Sequence, residues 1–233
     1  MEKFIKKGQI IVGLDFDNSE SAFGITKLLN PENYKLKVGN QLFTACGPRV
    51  LEDLKAQGFD IFLDLKYHDT PNTVEKAVVE ACKKNVWMLN IHLSGGQNMI
   101  ESAVNAKNSI SPEILLVGVT VLTSLDQNDL FDVGVSKDLK DQIISLFNLG
   151  KKVGIDGIVC SPNDLAFLKK EEMDSLITVC PGIRVRAESG GQKRTASISH
   201  AINMGADYLV VAREIISSSN PLKVINEIDS YFI

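Results

Sequence analysis

The sequence predicts an α/β fold of the (β/α)8, or TIM barrel, class, as a single domain spanning residues 1–233, and three observations carry that expectation. Eight short apolar runs rich in β-branched residues recur along the chain. Between them lie segments whose apolar residues repeat at helical spacing. No linker, low-complexity stretch or change of composition divides the 233 residues, 44% of them hydrophobic, so one large core can form. Pattern alone leaves a doubly wound open sheet as the alternative, although eight βα units in this length fit a closed barrel better.

The first strand is QIIVGLD, residues 9–15, and Ala22, Ile25, Leu28 and Leu29 then mark one face of a helix. NYKLKVG, residues 33–39, is the second strand, and Gly58 stops a helix before the third, FDIFLDLK, residues 59–66. Thr70-Pro71 puts a capping hydroxyl before a proline at the first helical position, opening a helix with Val74, Ala77, Val78 and Ala81 on its inner face. VWMLNIHL (86–93) and EILLVGVTVL (113–122) are the next strands, and Ile143, Leu146, Phe147 and Gly150 line the helix before IDGIVCS (155–161). Ser161-Pro162 repeats the helix-start signal, LITVCPGI (176–183) is the seventh strand, and Gly205 closes a helix before DYLVVAR (207–213).

A net charge of −4 with no basic run points to a small-molecule substrate and away from nucleic acid. The first apolar stretch, Ile10 to Leu14, is too short for a signal or membrane segment, so a cytoplasmic location is expected. Cys46, Cys82, Cys160 and Cys180 form no CxxC pair, which predicts reduced core thiols and neither a zinc site nor a disulfide framework.

Barrel active sites lie at the C-terminal ends of the strands, and the first three runs put charge there. Asp15 ends the first, Lys35 and Lys37 alternate on the second, and Asp64 and Lys66 flank Leu65 on the third, with Asp69 one turn later. A single strand-end charge is explained by a helix cap or by a lysine leaning into solvent. Several on one face are not, because buried unpaired charges are strongly disfavoured. Lys37, Asp64, Lys66 and Asp69 read as an alternating array in which each lysine lowers the carboxylate pKa values and each carboxylate raises those of the lysines. Held by two carboxylates, Lys66 is a poor base but suits stabilising and then protonating a carbanion. Cofactor-free decarboxylation is the demanding reaction of that class. Magnesium is disfavoured, since it wants several oxygens and Lys37 brings a competing positive charge.

His68, His92 and His200 show no metal-ligand spacing and no GxSxG elbow is present, so zinc sites and hydrolytic triads lack support. His68 and His92 fall near strand ends, where a structural role is favoured, and His200 reads as a helix-surface residue. Barrels often bind phosphate with the loops after strands seven and eight, which here read PGIRVRAESGGQKR (181–194) and VVAREI (210–215). Gly182 and Gly190-Gly191 allow close backbone approach, Arg213 has the fork for two phosphate oxygens, and Gln192 the reach to bridge phosphate and base. Arg186, Lys193 and Arg194 read as solvated, and the long loop as a lid over a dianion.

DLKYHDTPNT, residues 64–73, resembles the DxKxxDIPNT signature of the bacterial orotidine 5'-phosphate decarboxylase family and departs from it at Thr70. VGLDFDN at 12–18, KVG at 37–39, VWMLNIHLSGG at 86–96, VTVLTS at 119–124, PGIR at 181–184, GQKR at 191–194 and DYLVVAR at 207–213 follow in that family's order, so the resemblance spans nearly the whole chain. It implies the barrel topology and decarboxylation of orotidine 5'-phosphate to uridine 5'-monophosphate (UMP) in pyrimidine synthesis, by a homodimer without metal or organic cofactor. By the same resemblance Lys66 protonates C6, Asp64 crowds the substrate carboxylate, Lys37 holds Asp64 and the ribose, and Asp15 takes ribose hydroxyls. Asp69 and Thr73 are implied to serve the partner's site, within a Thr70, Pro71, Asn72, Thr73 segment that contacts substrate. Thr123 is implied at the pyrimidine, Pro181 at the substrate, and Arg184, Gln192, Arg213 and the backbone of Ala212 at the phosphate.

The departures carry expectations of their own. Thr70 replaces an isoleucine that lines the carboxylate pocket, trading an apolar wall for a helix-capping hydroxyl. Ala212 and Glu214 replace glycine and proline, which predicts strain if residue 212 needs positive φ, and a like charge beside the phosphate. Gly191 replaces a common aspartate, loosening the lid. Two other readings are a magnesium-dependent sugar-phosphate decarboxylase or synthase of the same barrel group, whose pattern resembles an acidic residue at the place of Lys37, and a barrel that binds a nucleotide without turnover.

Overall fold

The computed structural model describes residues 5–168, 176–185 and 195–232. Arg186, Gly190, Gly191, Gln192, Lys193 and Arg194, all from the expected phosphate loop, lie outside those residues. The eight predicted runs are the parallel strands of one closed barrel: β1 (Ile10–Gly13), β2 (Tyr34–Gly39), β3 (Ile61–Tyr67), β4 (Met88–His92), β5 (Leu115–Val119), β6 (Gly157–Val159), β7 (Ile177–Cys180) and, eighth, β10 (Tyr208–Val211). Closure comes from β1 pairing with both β2 and β10, which excludes the open sheet. The short β8 (Ile183–Arg184) and β9 (Ala196–Ser197) form a separate two-stranded sheet after β7.

The connections are richer than a simple alternation. α1 (Ser19–Thr26) follows β1, α2 (Asn40–Cys46) and α3 (Arg49–Lys55) join β2 to β3, and α4 (Pro71–Lys83) and α5 (Gln97–Ile110) follow β3 and β4. α6 (Gln127–Asp132) and α7 (Leu139–Val153) join β5 to β6, α8 (Ile198–Asn203) precedes β10, and α9 (Arg213–Ile216) and α10 (Pro221–Asp229) follow it. Gly58 and Gly205 adopt φ values of +90 and +88, the left-handed stop expected of them. One start signal works differently from expectation. Thr70 precedes Pro71 at the head of α4, but its hydroxyl makes no cap and lies 3.0 Å from Thr73 Oγ1. Ser161-Pro162 leads into a 3-10 segment, Asp164–Phe167, where the Ser161 hydroxyl accepts the Asp164 N–H at 3.2 Å, as a cap does, and the Asp164 carboxylate accepts the Ser161 N–H at 2.8 Å.

Side-chain alternation along the strands creates two apolar layers. Ile11, Phe62, Met88, Val117, Val119, Val159, Val179 and Val210 fill the barrel interior. The opposite strand faces, including Ile10, Val12, Leu36 and Val38, pack with the helices in a larger cluster that holds Cys82, Cys160 and Cys180. Burying each such aliphatic or aromatic side chain contributes about 1.5–3 kcal/mol, so the interior is a packed plug and a ligand has room only at a mouth. β2 sends lysines toward both ends: Lys35 pairs with Asp60 at 2.5 Å and lies over the Trp87 ring at 4.3 Å, while Lys37 stands two register positions nearer the C-terminal mouth. All four cysteines are unbridged, with Cys46 half-buried. Among the described residues, no helix is long and apolar enough to cross a membrane.

Candidate active site

Strand register brings the first charges together. Gly13 pairs with Lys37 and Gly39 with Asp64, so β1, β2 and β3 deliver them at neighbouring positions of the C-terminal rim. Gly13 makes the space: a Cβ there would stand 2.8 Å from the Ala212 Cβ and 3.2 Å from the Lys37 Cε. Lys37 Nζ donates to Asp15 Oδ1 at 3.0 Å and lies 3.2 Å from Asp64 Oδ2, and Lys66 Nζ lies 2.6 Å from Asp64 Oδ1. The result is a chain of alternating charge, Asp15–Lys37–Asp64–Lys66, whose middle pair is buried.

Asp64 and Lys66 meet by a route the alternation did not predict. β3 bulges between Leu63 and Tyr67, and Lys66 takes a φ of +52, a left-handed conformation rare for a residue with a side chain. Asn90 of β4, fully buried, accepts from the Lys66 N–H at 2.8 Å and donates to Asp64 Oδ1 at 2.7 Å. Sequence reasoning passed over Asn90. Its signal was an amide on the inward face of an apolar strand, between Met88 and His92.

The pairing decides the charge states. Burial would push the Asp64 carboxyl up, but Lys37 and then Lys66, with hydrogen bonds from Lys66 and Asn90, hold it below the usual carboxylate range. Burial would likewise lower Lys37, and Asp64 followed by Asp15 outweighs it, holding the ammonium above its ordinary value. The His92 ring lies 5.4 Å from that of His68, and burial, then His68 and Lys66, push its imidazole below the ordinary range.

Asp69 was expected in the array and stands outside it. It follows the end of β3, is exposed, and accepts the Thr70 N–H at 2.6 Å; among the described residues it makes no ion pair. Among the described residues Lys66 has one carboxylate partner, Asp64. Thr70, Pro71, Asn72 and Thr73 are exposed beside Asp69 and do not line the cavity at the mouth.

That cavity, about 860 Å³ with its open mouth, is bordered by Asp15, Lys37, Asp64 and Lys66 from the β1 to β3 side and by Pro181, Arg184, Ala212 and Arg213 from the β7 and β10 side. Thr123 lies on its wall, so the structure gathers these residues at one site. Gln192 falls outside the described residues. Ala212 has φ −131 and ψ −82, so alanine there carries none of the positive-φ strain anticipated. Glu214 borders the cavity as expected, and its carboxylate accepts the Val185 N–H, tying the start of α9 to the segment after β8. Acidic and basic groups paired with one another, beside the exposed Arg213 cation, suit an anionic ligand.

Known proteins resemble the chain over nearly its whole length. The Orotidine 5'-phosphate decarboxylase / HUMPS family matches residues 8–228. An orotidine 5'-phosphate decarboxylase of Pseudoalteromonas translucida is 43% identical over 97% of both chains, and one of Coxiella burnetii is 43% identical over 95% of both. The solved orotidine 5'-phosphate decarboxylase of Lactobacillus acidophilus superposes with a TM-score of 0.83 at 31% identity, covering 97% of this chain and 99% of its own.

Proposed function

Since the chain belongs to the orotidine 5'-phosphate decarboxylase / HUMPS family, we propose that it decarboxylates orotidine 5'-phosphate to UMP, within one barrel domain and without metal or organic cofactor. The observation that carries the reading is the buried Asp64 carboxylate held between Lys37 and Lys66 at the mouth of the barrel. The C6–carboxylate bond breaks, carbon dioxide leaves, and the electron pair stays on C6. Lys66 then gives a proton to C6 and recovers it from solvent. Asp64 is ionised and fixed, so it repels a substrate carboxylate set beside it, and that repulsion fades as the carboxylate becomes neutral carbon dioxide. Lys66 stabilises the carbanion that remains, with no reorganisation needed at the moment of reaction.

Lys37 and Asp15 take the ribose hydroxyls, Thr123 the pyrimidine, and Pro181, Arg184, Gln192, the Ala212 backbone and Arg213 surround the phosphate. Contacts at the phosphate hold the reacting carbon against the charged end, so remote binding energy lowers the chemical barrier. The magnesium-dependent reading of the same barrel group is disfavoured by the Lys37 ammonium, which lies between Asp15 and Asp64 where a divalent cation would need their oxygens. Purified protein with chelator present is expected to deplete the ultraviolet absorbance of orotidine 5'-phosphate. Turnover that the chelator stops, or no turnover, contradicts the assignment.

The exposed Asp69–Thr73 segment supports a homodimer in which Asp69 and Thr73 complete the neighbouring copy's site, giving Lys66 its second carboxylate. The cytoplasm is its proposed location. Asp69→Asn and Lys66→Ala proteins, each inactive alone, are expected to recover part of the activity when mixed. No recovery after confirmed subunit exchange counts against the shared site.

A further inference from the structure

One side chain stands opposite the β3 bulge. Between the pairs Leu63↔Leu89 and Tyr67↔Ile91, β3 passes through Asp64, Leu65 and Lys66 while β4 contributes Asn90 alone. The ladder is interrupted there, and a backbone N–H inside a barrel wall must find another partner. Asn90 is that partner for Lys66, and with its other atom it donates to Asp64 Oδ1, the same oxygen that receives Lys66 Nζ. It is fully buried and does not border the cavity. The left-handed backbone it supports costs a non-glycine residue about 1–2 kcal/mol, so Lys66 needs a reason to stay there. An amide accepts and donates at fixed spacing, whereas an aspartate offers acceptors only and a leucine offers neither.

We infer that Asn90 is a positioning residue for the decarboxylation proposed above: it holds the Lys66 backbone in the turn that aims Nζ at Asp64 and fixes the oxygen the two share. The inference rests on that functional reading. Its effect passes through Lys66 and Asp64, so it belongs to the chemical step more than to ligand binding.

Asn90→Ser and Asn90→Asp in the full chain test it, with kcat measured across pH and UMP affinity measured by calorimetry. Both are expected to lower kcat about 100-fold while UMP affinity changes less than about threefold. Asn90→Asp keeps an acceptor for the Lys66 N–H but sets a second carboxylate against Asp64. Like charge raises the pKa of such a pair, so the acidic limb of kcat is expected to move up by about 1 pH unit or more, with no such move for Asn90→Ser. Lost packing alone does not produce that difference. The inference is overturned if folded Asn90→Ser keeps kcat within about threefold of the parent, a change far smaller than loss of one preorganised hydrogen bond brings. It is also overturned if both variants lose activity only in proportion to the fraction able to bind UMP, with unmoved pH profiles. An inactive parent protein contradicts the functional reading instead, so the two failures are distinguishable.

Discussion

The two ends of the mouth cavity are built in opposite ways. On the β1 to β4 side each charge of the chain Asp15–Lys37–Asp64–Lys66 has a partner in the same molecule, and Asn90 locks the bulge that carries the last of them. On the β7 and β10 side, Arg213 is exposed and makes no ion pair among the described residues, while Glu214 is engaged by the Val185 N–H. One end holds its electrostatic field before any ligand arrives. The other leaves a cation for the ligand to neutralise. This difference supports the proposal that chemistry falls to the first end, where preorganised charge acts without rearrangement, and binding to the second.

Breaking the first end should cost most. Lys37→Met cuts the chain in the middle and leaves Asp64 with the Lys66 ammonium and the Asn90 amide. Loss of kcat by about 10²- to 10³-fold is expected, together with about 3 kcal/mol of stability in denaturant unfolding. A variant equally stable and active would show that the array is ornamental. In the parent protein the same pairing predicts the pH response. Asp64 titrates below its unfolded value, so its contribution is present above about pH 3.9 and is lost as pH falls through the folded pKa; Lys37 titrates above its unfolded value, so its contribution is present below about pH 10.4 and is lost as pH rises through the folded pKa. Hence neither Asp64 nor Lys37 should give kcat a limb between about pH 5 and 9.

At the second end the effects should be smaller and fall on affinity. Arg213→Ala is expected to weaken UMP binding by about 10- to 100-fold, the range of one charge-assisted hydrogen-bonded contact, with saturated kcat largely kept. Glu214→Gln should tighten UMP by about two- to fivefold and leave uridine binding unchanged, because the carboxylate repels the phosphate through partly screening solvent. Weaker UMP binding in Glu214→Gln would mean that the link to Val185 matters more than the charge.

The eight strands were readable from sequence as apolar runs between helical segments, but their closure rested on the family resemblance, because the runs alone also fit an open sheet. Lys37, Asp64 and Lys66 were readable because charge inside an apolar strand is costly unless it is paired. Asn90 carries no charge and sits in mid-strand, so it resembled an incidental polar residue. The bulge was hidden because Asp-Leu-Lys reads equally well as plain alternation. The capping role of Thr70 was misjudged because its hydroxyl meets Thr73 Oγ1 and no backbone N–H, and the hold of the Glu214 carboxylate on an amide 29 residues away is a tertiary contact that local propensity does not encode.

The central claim is that Lys66 performs chemistry on a substrate that other residues bind. Lys66→Ala, saturated with orotidine 5'-phosphate and followed in a single turnover, tests it most directly. The account predicts UMP affinity within about tenfold of the parent and a rate of product formation lower by at least about 10⁴-fold, from the loss of acid catalysis and carbanion stabilisation together. Product formation within about tenfold of the parent rate, far short of what loss of a general acid costs, would contradict it.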